Sequence, residues 1–277
     1  MEIILAKEAG FCFGVKRAID LCVKSHDDGI SFVTFGEIIH NKQVVSSLEK
    51  MGIHAVESFD NLDKQDVLIR SHGISKALYE EAKNKGVQLI DGTCPYVKKI
   101  QNIAAKYSAE GYEIIIVGDK DHPEVIGVSG WSQTPVHVVY SAEETTSLNF
   151  IKKACIVAQA TITESKWNEV MSAAQSKVQE LLVFNTICEA TRERQASADK
   201  ISKEVDVMLI IGGKHSSNTK KLLEVCEKNC KKAYHIETII EIEQINFENC
   251  DKIGITAGAS TPDWIINEIL NALKKMH

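Results

Sequence analysis

Cysteine stands at positions 12, 22, 94, 155, 188, 226, 230 and 250 of the 277 residues. Three of the eight share a setting. A glycine follows 24 residues after Cys12, Cys94 and Cys188, at Gly36, Gly118 and Gly212. Four residues further on stands a small polar group: His40, His122 and Ser216. Such a spacing arises by chance too readily to stand alone, so its context must carry it. Three thiolates at one centre suit a soft metal or an iron–sulfur cluster. Zinc is the competing reading, but a structural zinc takes four ligands. Three thiolates leave one iron of a 4Fe-4S cluster without a protein ligand, and hence open to substrate as a Lewis acid. Cys22, Cys155 and Cys250 lie on apolar faces or at strand ends and read as small buried hydrophobes. Cys226-x3-Cys230 sits in a helical run and lacks the C-x2-C spacing of a zinc pair.

Polar loops supply a second chemistry. Gly212-Gly213-Lys214-His215-Ser216-Ser217-Asn218 follows an apolar run and opens a helix. Glycine-rich backbone, hydroxyls and a helix N-terminus together make an anion site. The loop matches neither G-x4-G-K-[ST] nor G-x-G-x-x-G, so nothing supports a nucleotide. Thr256-Ala257-Gly258-Ala259-Ser260-Thr261-Pro262 offers a second helix start of the same kind. His40, His72 and His122 each stand just after a strand candidate and are expected to cluster. His26, His54, His137, His215, His235 and His277 read as structural or solvent-facing.

The elements that must position these groups repeat with them. An apolar run precedes each of the three glycines: Phe32–Phe35, Ile114–Val117 and Met208–Ile211. Short, partly β-branched and stopped by Gly, they predict buried strands. Helical stripes follow Cys12 (Val15, Ile19, Cys22) and Cys94 (Val97, Ile100, Ala104, Tyr107), with Pro95 suited to a first helical position. Two further strands are expected in each unit: 54–56 and 67–69, 136–139 and 155–157, 233–236 and 253–256. Each second one runs into a small polar loop and a helix, with Ser75, Thr163 and Thr261 as expected N-caps. A fourth strand then leads to the next cysteine, at 87–90 and 181–184. The third unit lacks it and ends in a helix over 264–275, so the N-terminal run 3–6 is expected to complete that unit. The predicted units are 13–95, 96–187 and 188–277 with 1–12. Alternating strands and helices imply parallel sheets, with ligands at the C-terminal strand ends. Three such units should face one another around a shared centre.

Composition narrows the partners. Lys plus Arg is 32 and Asp plus Glu is 38, a net charge of −6, which excludes nucleic-acid binding by bulk positive charge. No apolar run approaches the roughly 18 residues of a membrane span. Met1–Lys7 carries an acid where a signal peptide needs bases. Eight cysteines fall well short of the roughly 8–10% of a disulfide scaffold. The expectation is a cytoplasmic chain with reduced thiols, without nucleic-acid or membrane partners.

The motifs taken together are specific. Gly10-Phe11-Cys12-Phe13-Gly14-Val15, Ile39-His40-Asn41, Ser71-His72-Gly73, Gly92-Thr93-Cys94-Pro95, Asp121-His122-Pro123-Glu124-Val125, Ser216-Ser217-Asn218 and Thr256-Ala257-Gly258-Ala259-Ser260 occur in order across essentially the whole chain. This pattern resembles the 4-hydroxy-3-methylbut-2-enyl diphosphate reductases, the LytB/IspH family. The resemblance implies three α/β domains in pseudo-threefold arrangement around one 4Fe-4S cluster. It implies a reductive dehydroxylation that yields isopentenyl or dimethylallyl diphosphate, the last step of the non-mevalonate isoprenoid route. The electron donor it implies is ferredoxin or flavodoxin.

Carried over by motif, Cys12, Cys94 and Cys188 resemble the cluster ligands. His40, His72, Ser216, Ser217, Asn218 and Ser260 resemble the clamp on the diphosphate of a small allylic substrate, with His122 beside it. Glu124 resembles the proton donor and Thr161 a helper at the substrate hydroxyl. The chain departs from the family in carrying Ala160-Thr161 where a Thr-Thr pair is expected, and in a short stretch between His122 and Thr161. An allylic hydroxyl leaves poorly, so such chemistry needs a Lewis acid and a proton source. Two other readings compete. Three-domain quinolinate synthases also use a cluster with an open iron, but Ser-Ser-Asn and His-Pro-Glu favour the reductase. A non-enzymatic iron–sulfur sensor needs a partner surface, and no segment stands out as one.

Overall fold

The structure, a computed structural model, describes residues 1–62 and 65–276. His277 lies outside the described residues. The elements in chain order begin with β1 (Glu2–Leu5), α1 (Phe13–Asp27), β2 (Phe32–Phe35), α2 (Lys42–Lys50), β3 (Ala55–Val56), β4 (Asp66–Ile69), α3 (Lys76–Asn84) and β5 (Leu89–Asp91). Next come α4 (Pro95–Ala109), β6 (Glu113–Val117), α5 (Pro123–Ser129), β7 (Val136–Val139), α6 (Ala142–Thr146), β8 (Ile151–Ala158), α7 (Glu164–Gln175) and β9 (Val178–Phe184). The last are α8 (Glu189–Ser202), β10 (Val207–Ile211), α9 (Ser217–Glu227), β11 (Ala233–Ile236), a 3₁₀ turn (Ile239–Gln244), β12 (Lys252–Ala257) and α10 (Asp263–Lys275).

The fold is α/β, with three four-stranded sheets of one plan: β3-β2-β4-β5, β7-β6-β8-β9 and β11-β10-β12-β1. Every described strand pair is parallel. The N-terminal strand β1 is the fourth strand of the last sheet, with Ile4 opposite Gly254. The inner strands carry buried apolar runs, as expected where helices cover both faces of a parallel sheet. Val207–Ile211 is buried at every residue, and so is Ile114–Val117 in β6.

Several boundaries differ from the sequence reading. The expected strand 87–90 forms two residues later, because the Val87 N–H closes the turn after α3 on the Ala82 carbonyl at 2.9 Å. The expected 155–157 grows into the eight-residue β8, which pairs with β6 and β9. Ser75 and Thr163 cap α3 and α7 as expected, accepting from the Leu78 and Lys166 N–H groups. Thr261 does not cap α10. Pro262 holds that position, and the fully buried Thr261 hydroxyl donates to the Ile211 carbonyl at the end of β10.

The chain divides into two compact units. One comprises Met1–Lys16, Ile39–Leu48 and Glu189–His277 and holds the last sheet. Its core packs Val207, Leu209, Ile211, Ile253 and Ile255 against Ile265, Ile269 and Leu273 of α10. The other comprises Arg17–Ile38 and Glu49–Cys188 and holds the first two sheets. These two come close where the end of α5 lies against the start of α3. A side chain at Gly130, after α5, would lie 2.2 Å from the Ser75 Cβ, so only glycine permits this approach.

Candidate active site

In the unit holding the last sheet, four loops at strand ends come together. Cys12 ends the loop after β1 and opens α1. Its N–H donates to the Ala259 carbonyl at 3.1 Å, and the Val15 N–H of the first helical turn points at its Sγ at 3.5 Å. The next residue of the β12–α10 loop is Ser260, whose hydroxyl donates to the His40 carbonyl at 3.3 Å. The β10–α9 loop reaches that carbonyl as well. A Cβ on Gly213 would lie 2.4 Å from it, which accounts for glycine there. The segment after His40 is tied down by Asn41, which accepts from the Val44 N–H at the start of α2, and by Gln43, which donates to the Glu237 carbonyl at 2.9 Å.

The start of α9 completes this group. Ser216 caps the helix by accepting from the Thr219 N–H. Ser217 is buried, and its Oγ accepts from Lys221 Nζ at 3.2 Å. Asn218 is 5% exposed, yet neither its Oδ1 nor its Nδ2 has a hydrogen-bond partner among the described residues. A buried, unsatisfied amide is costly and marks a place where a polar ligand belongs. Lys214 of the same loop is turned away, paired with Glu241 at 2.8 Å and bonded to the His235 carbonyl. Burial lowers the pKa of His235, whose Nε2 lies 2.9 Å from the Gly212 carbonyl, so this ring supports the loop as expected.

The other unit repeats the arrangement twice. The Cys94 N–H donates to the Ser71 carbonyl at 2.9 Å, and the Cys188 N–H donates to the Ala160 carbonyl at 3.1 Å. Cys94 is the N-cap of α4 with Pro95 after it, and Cys188 immediately precedes α8. The residues following the acceptor carbonyls are His72, Thr161 and, in the first unit, Ser260. Each cysteine is therefore latched to the residue before a candidate substrate contact, three times over. The latch places Thr161 at the position of His72 and Ser260 independently of the family's Thr-Thr pattern. The His72 and His122 rings stand edge to face, with centroids 5.2 Å apart. His122 caps α5, with Nδ1 accepting from the Glu124 N–H at 3.1 Å, so the neutral ring carries its proton on Nε2. Glu124 is 3% exposed, and its Oε1 accepts from the Ala160 N–H at 2.6 Å.

The thiols separate into two classes. Cys12, Cys94 and Cys188 are partly buried, while the other five are buried. Burial pushes the Cys22 thiol up to about 11 and those of Cys155 and Cys226 up to about 12, and it raises Cys250 as well. Burial thus holds these four away from the thiolate, the form that ligates metal. Cys12, Cys94 and Cys188 stand at helix starts, where the helix dipole favours negative charge. This donor set fits an anionic iron–sulfur centre.

Two arginines that sequence reasoning did not single out hold the approaches to cysteines. Arg17 of α1 donates to the Asp91 and Thr93 carbonyls just before Cys94. The buried Arg194 of α8 donates to the Glu8 and Gly10 carbonyls just before Cys12. Their signal in the sequence was slight: an arginine five or six residues into the helix that follows a cysteine.

Comparison with known proteins agrees with this geometry. The sequence model of the LytB protein family matches residues 3–274. A 4-hydroxy-3-methylbut-2-enyl diphosphate reductase of Caldanaerobacter subterraneus subsp. tengcongensis is 53% identical over 281 residues, covering 100% of this chain and 98% of the relative. One of the same name from Alkaliphilus oremlandii is 45% identical over 279 residues, covering both chains fully at 100%. Among solved structures, an (E)-4-hydroxy-3-methyl-but-2-enyl diphosphate reductase described as the terminal enzyme of the non-mevalonate pathway is similar at 40% identity. Its TM-score is 0.70, with 99% of this chain and 100% of that chain covered. A reductase from Plasmodium falciparum is similar at 31% identity with a TM-score of 0.93, covering 98% of this chain and 87% of that one.

Proposed function

The chain belongs to the LytB protein family, and from that premise we propose that it reduces 4-hydroxy-3-methylbut-2-enyl diphosphate to isopentenyl and dimethylallyl diphosphate. The substrate takes up two electrons and two protons and releases its hydroxyl as water. We assign Cys12, Cys94 and Cys188 as the ligands of one 4Fe-4S cluster, within three α/β units, 13–95, 96–187 and 188–277 with 1–12, arranged about it in pseudo-threefold fashion. When bound, that cluster supplies electrons one at a time and one iron without a protein ligand, a Lewis acid for the hydroxyl.

The chain's own residues supply binding and protons. Ser216, Ser217, Asn218, Ser260, His40 and His72 hold the diphosphate, with His122 beside them. Asn218 brings an amide whose donors and acceptor are unused within the protein among the described residues. Fixing the diphosphate fixes the carbon chain, which lowers the entropic part of the barrier. Glu124 is the proton donor. Its Oε1 accepts from the Ala160 N–H, which fixes the carboxylate beside the loop that carries Thr161. That bond and the latch of Ala160 to Cys188 fix the backbone just before Thr161, which we assign to the leaving hydroxyl.

The observation that carries this reading is the threefold latch, from Cys12, Cys94 and Cys188 to the residues before Ser260, His72 and Thr161. Reduced ferredoxin or flavodoxin is the electron donor we assign, and the cytoplasm the compartment, where thiols stay reduced. The test is anaerobic purification, iron and sulfide counting, and turnover with a reduced one-electron dye. Four irons per chain and conversion of the allylic diphosphate support the reading. Four irons without turnover leave a sensor, and condensation chemistry instead of reduction selects the quinolinate synthase plan.

A further inference from the structure

His72 stands in the loop between β4 and α3, and that loop is held on both sides of the ring. One residue before it, the Ser71 carbonyl accepts from the Cys94 N–H at 2.9 Å. Two residues after it, the Ile74 carbonyl accepts from two side chains, Trp131 Nε1 at 3.0 Å and Gln101 Nε2 at 3.3 Å. Ile74 precedes Ser75, the N-cap of α3, so its carbonyl lies outside that helix's ladder. A carbonyl oxygen has two lone pairs, and here two side-chain donors meet them. Both donors come from segments that begin at assigned site residues. Gln101 is 1% exposed and lies two turns along α4 from its N-cap, Cys94. Trp131 follows α5, whose N-cap His122 sets its ring edge to face with that of His72. Between the two anchors Gly73 takes a φ of +71°, and a Cβ there would lie 2.5 Å from Gln101 Nε2.

We propose that Trp131 and Gln101 are positioning residues, which fix this loop through the Ile74 carbonyl so that the His72 imidazole meets a bound diphosphate in one orientation. The proposal rests on the assignment of His72 to the diphosphate. Only His72 and Gly73 separate the two anchored residues, and the Gly73 N–H closes the turn on the Arg70 carbonyl at 3.0 Å. The backbone that carries the ring is therefore set before a ligand arrives, and a loop ordered in advance loses less freedom on binding. The two donors can be removed separately. Trp131 also packs edge to face on Tyr79 of α3, with ring centroids 5.7 Å apart, so its N–H can be deleted while an aromatic ring stays in place. Gln101 reaches the carbonyl from the opposite helix through its amide alone. Loss of one donor leaves the other. Loss of both leaves Ile74, a residue 3% exposed, with neither donor on its carbonyl, which is costly.

The test uses the cluster-loaded enzyme under anaerobic conditions, with inorganic diphosphate as the probe in calorimetry and a mutant cycle against His72→Ala. Trp131→Phe keeps a ring beside Tyr79 and removes the N–H. It should weaken diphosphate about three- to tenfold, as for one hydrogen bond, and raise KM for the allylic substrate alike. The kcat value should stay within about twofold, and the cluster's absorption and paramagnetic spectra should not change. Gln101→Met, which keeps the length but not the donor, should do the same, and the two together should approach the loss in His72→Ala. In the His72→Ala background either substitution should change affinity by less than about twofold, because no ring remains to be positioned. A merely structural role would lower thermal stability without this split and without this dependence on His72. Parental affinity in both folded variants, or the same factor with and without His72, overturns the proposal and leaves the clamp. A fall in kcat at parental KM overturns it as well. Parental affinity in His72→Ala takes His72 out of the clamp, and the proposal falls with that reading. If Trp131→Phe does not fold, Gln101→Met decides by the same cycle.

Discussion

The Glu124 carboxylate accepts a hydrogen bond from the Ala160 N–H at 2.6 Å. The other face of the same residue is also engaged, since the Ala160 carbonyl accepts from the Cys188 N–H at 3.1 Å. One backbone unit thus joins the assigned proton donor to an assigned cluster ligand, with Thr161 following directly. The alternative role of Glu124, an acid at a helix start favoured by the dipole, coexists with this bond, because Glu124 is the second residue of α5.

Glu124→Gln separates the two roles. The glutamine oxygen can still accept from Ala160, so the chain should fold, load its cluster and bind diphosphate normally. It cannot give up a proton. Turnover should therefore fall by about 10²–10⁴-fold, the usual worth of a general acid. Steady-state kinetics with a reduced dye provide the check, and near-normal turnover would return Glu124 to a structural role.

Asn218→Ala and Ser260→Ala should each weaken substrate and inorganic diphosphate alike, by about 1.5–3 kcal/mol, as for a hydrogen bond to a charged group. Cluster spectra should not change. Calorimetry with inorganic diphosphate reads this directly, and parental affinity in both variants would take these loops out of the site.

The buried thiols predict an alkaline limit. Cys22 is raised from 9.0 to about 11, and Cys155 and Cys226 to about 12, in each case chiefly by desolvation. Above pH 9 the folded chain keeps protons that the unfolded chain has released. By linkage, this contribution is complete below pH 9 and is lost as the pH rises through the folded values. The urea midpoint should drop between pH 8 and pH 10.5, and less steeply in Cys155→Ala. Equal slopes for the two chains would contradict it.

Much of the fold was legible because parallel sheets leave a plain mark. Ile114–Val117 and Met208–Ile211 are unbroken apolar runs, and the structure makes them inner strands. Edges were harder to read. Val87 looked like strand, but its N–H belongs to the turn that ends α3. Thr261 looked like a cap, but its hydroxyl closes on Ile211 and leaves the cap to Pro262. The residues assigned to the clamp were singled out by type and position. The latches on Ala259, Ser71 and Ala160 use backbone groups, which residue type does not encode.

The central claim, that Cys12, Cys94 and Cys188 hold a 4Fe-4S cluster, is tested most directly by iron and sulfide counts with Mössbauer spectra on single-cysteine variants purified without oxygen. Serine is a harder ligand that suits the cluster poorly. Cys12→Ser, Cys94→Ser and Cys188→Ser should each lose a stable four-iron cluster, while Cys155→Ser, Cys226→Ser, Cys230→Ser and Cys250→Ser should keep it. Loss of the cluster in Cys226→Ser together with its retention in Cys188→Ser would contradict the account.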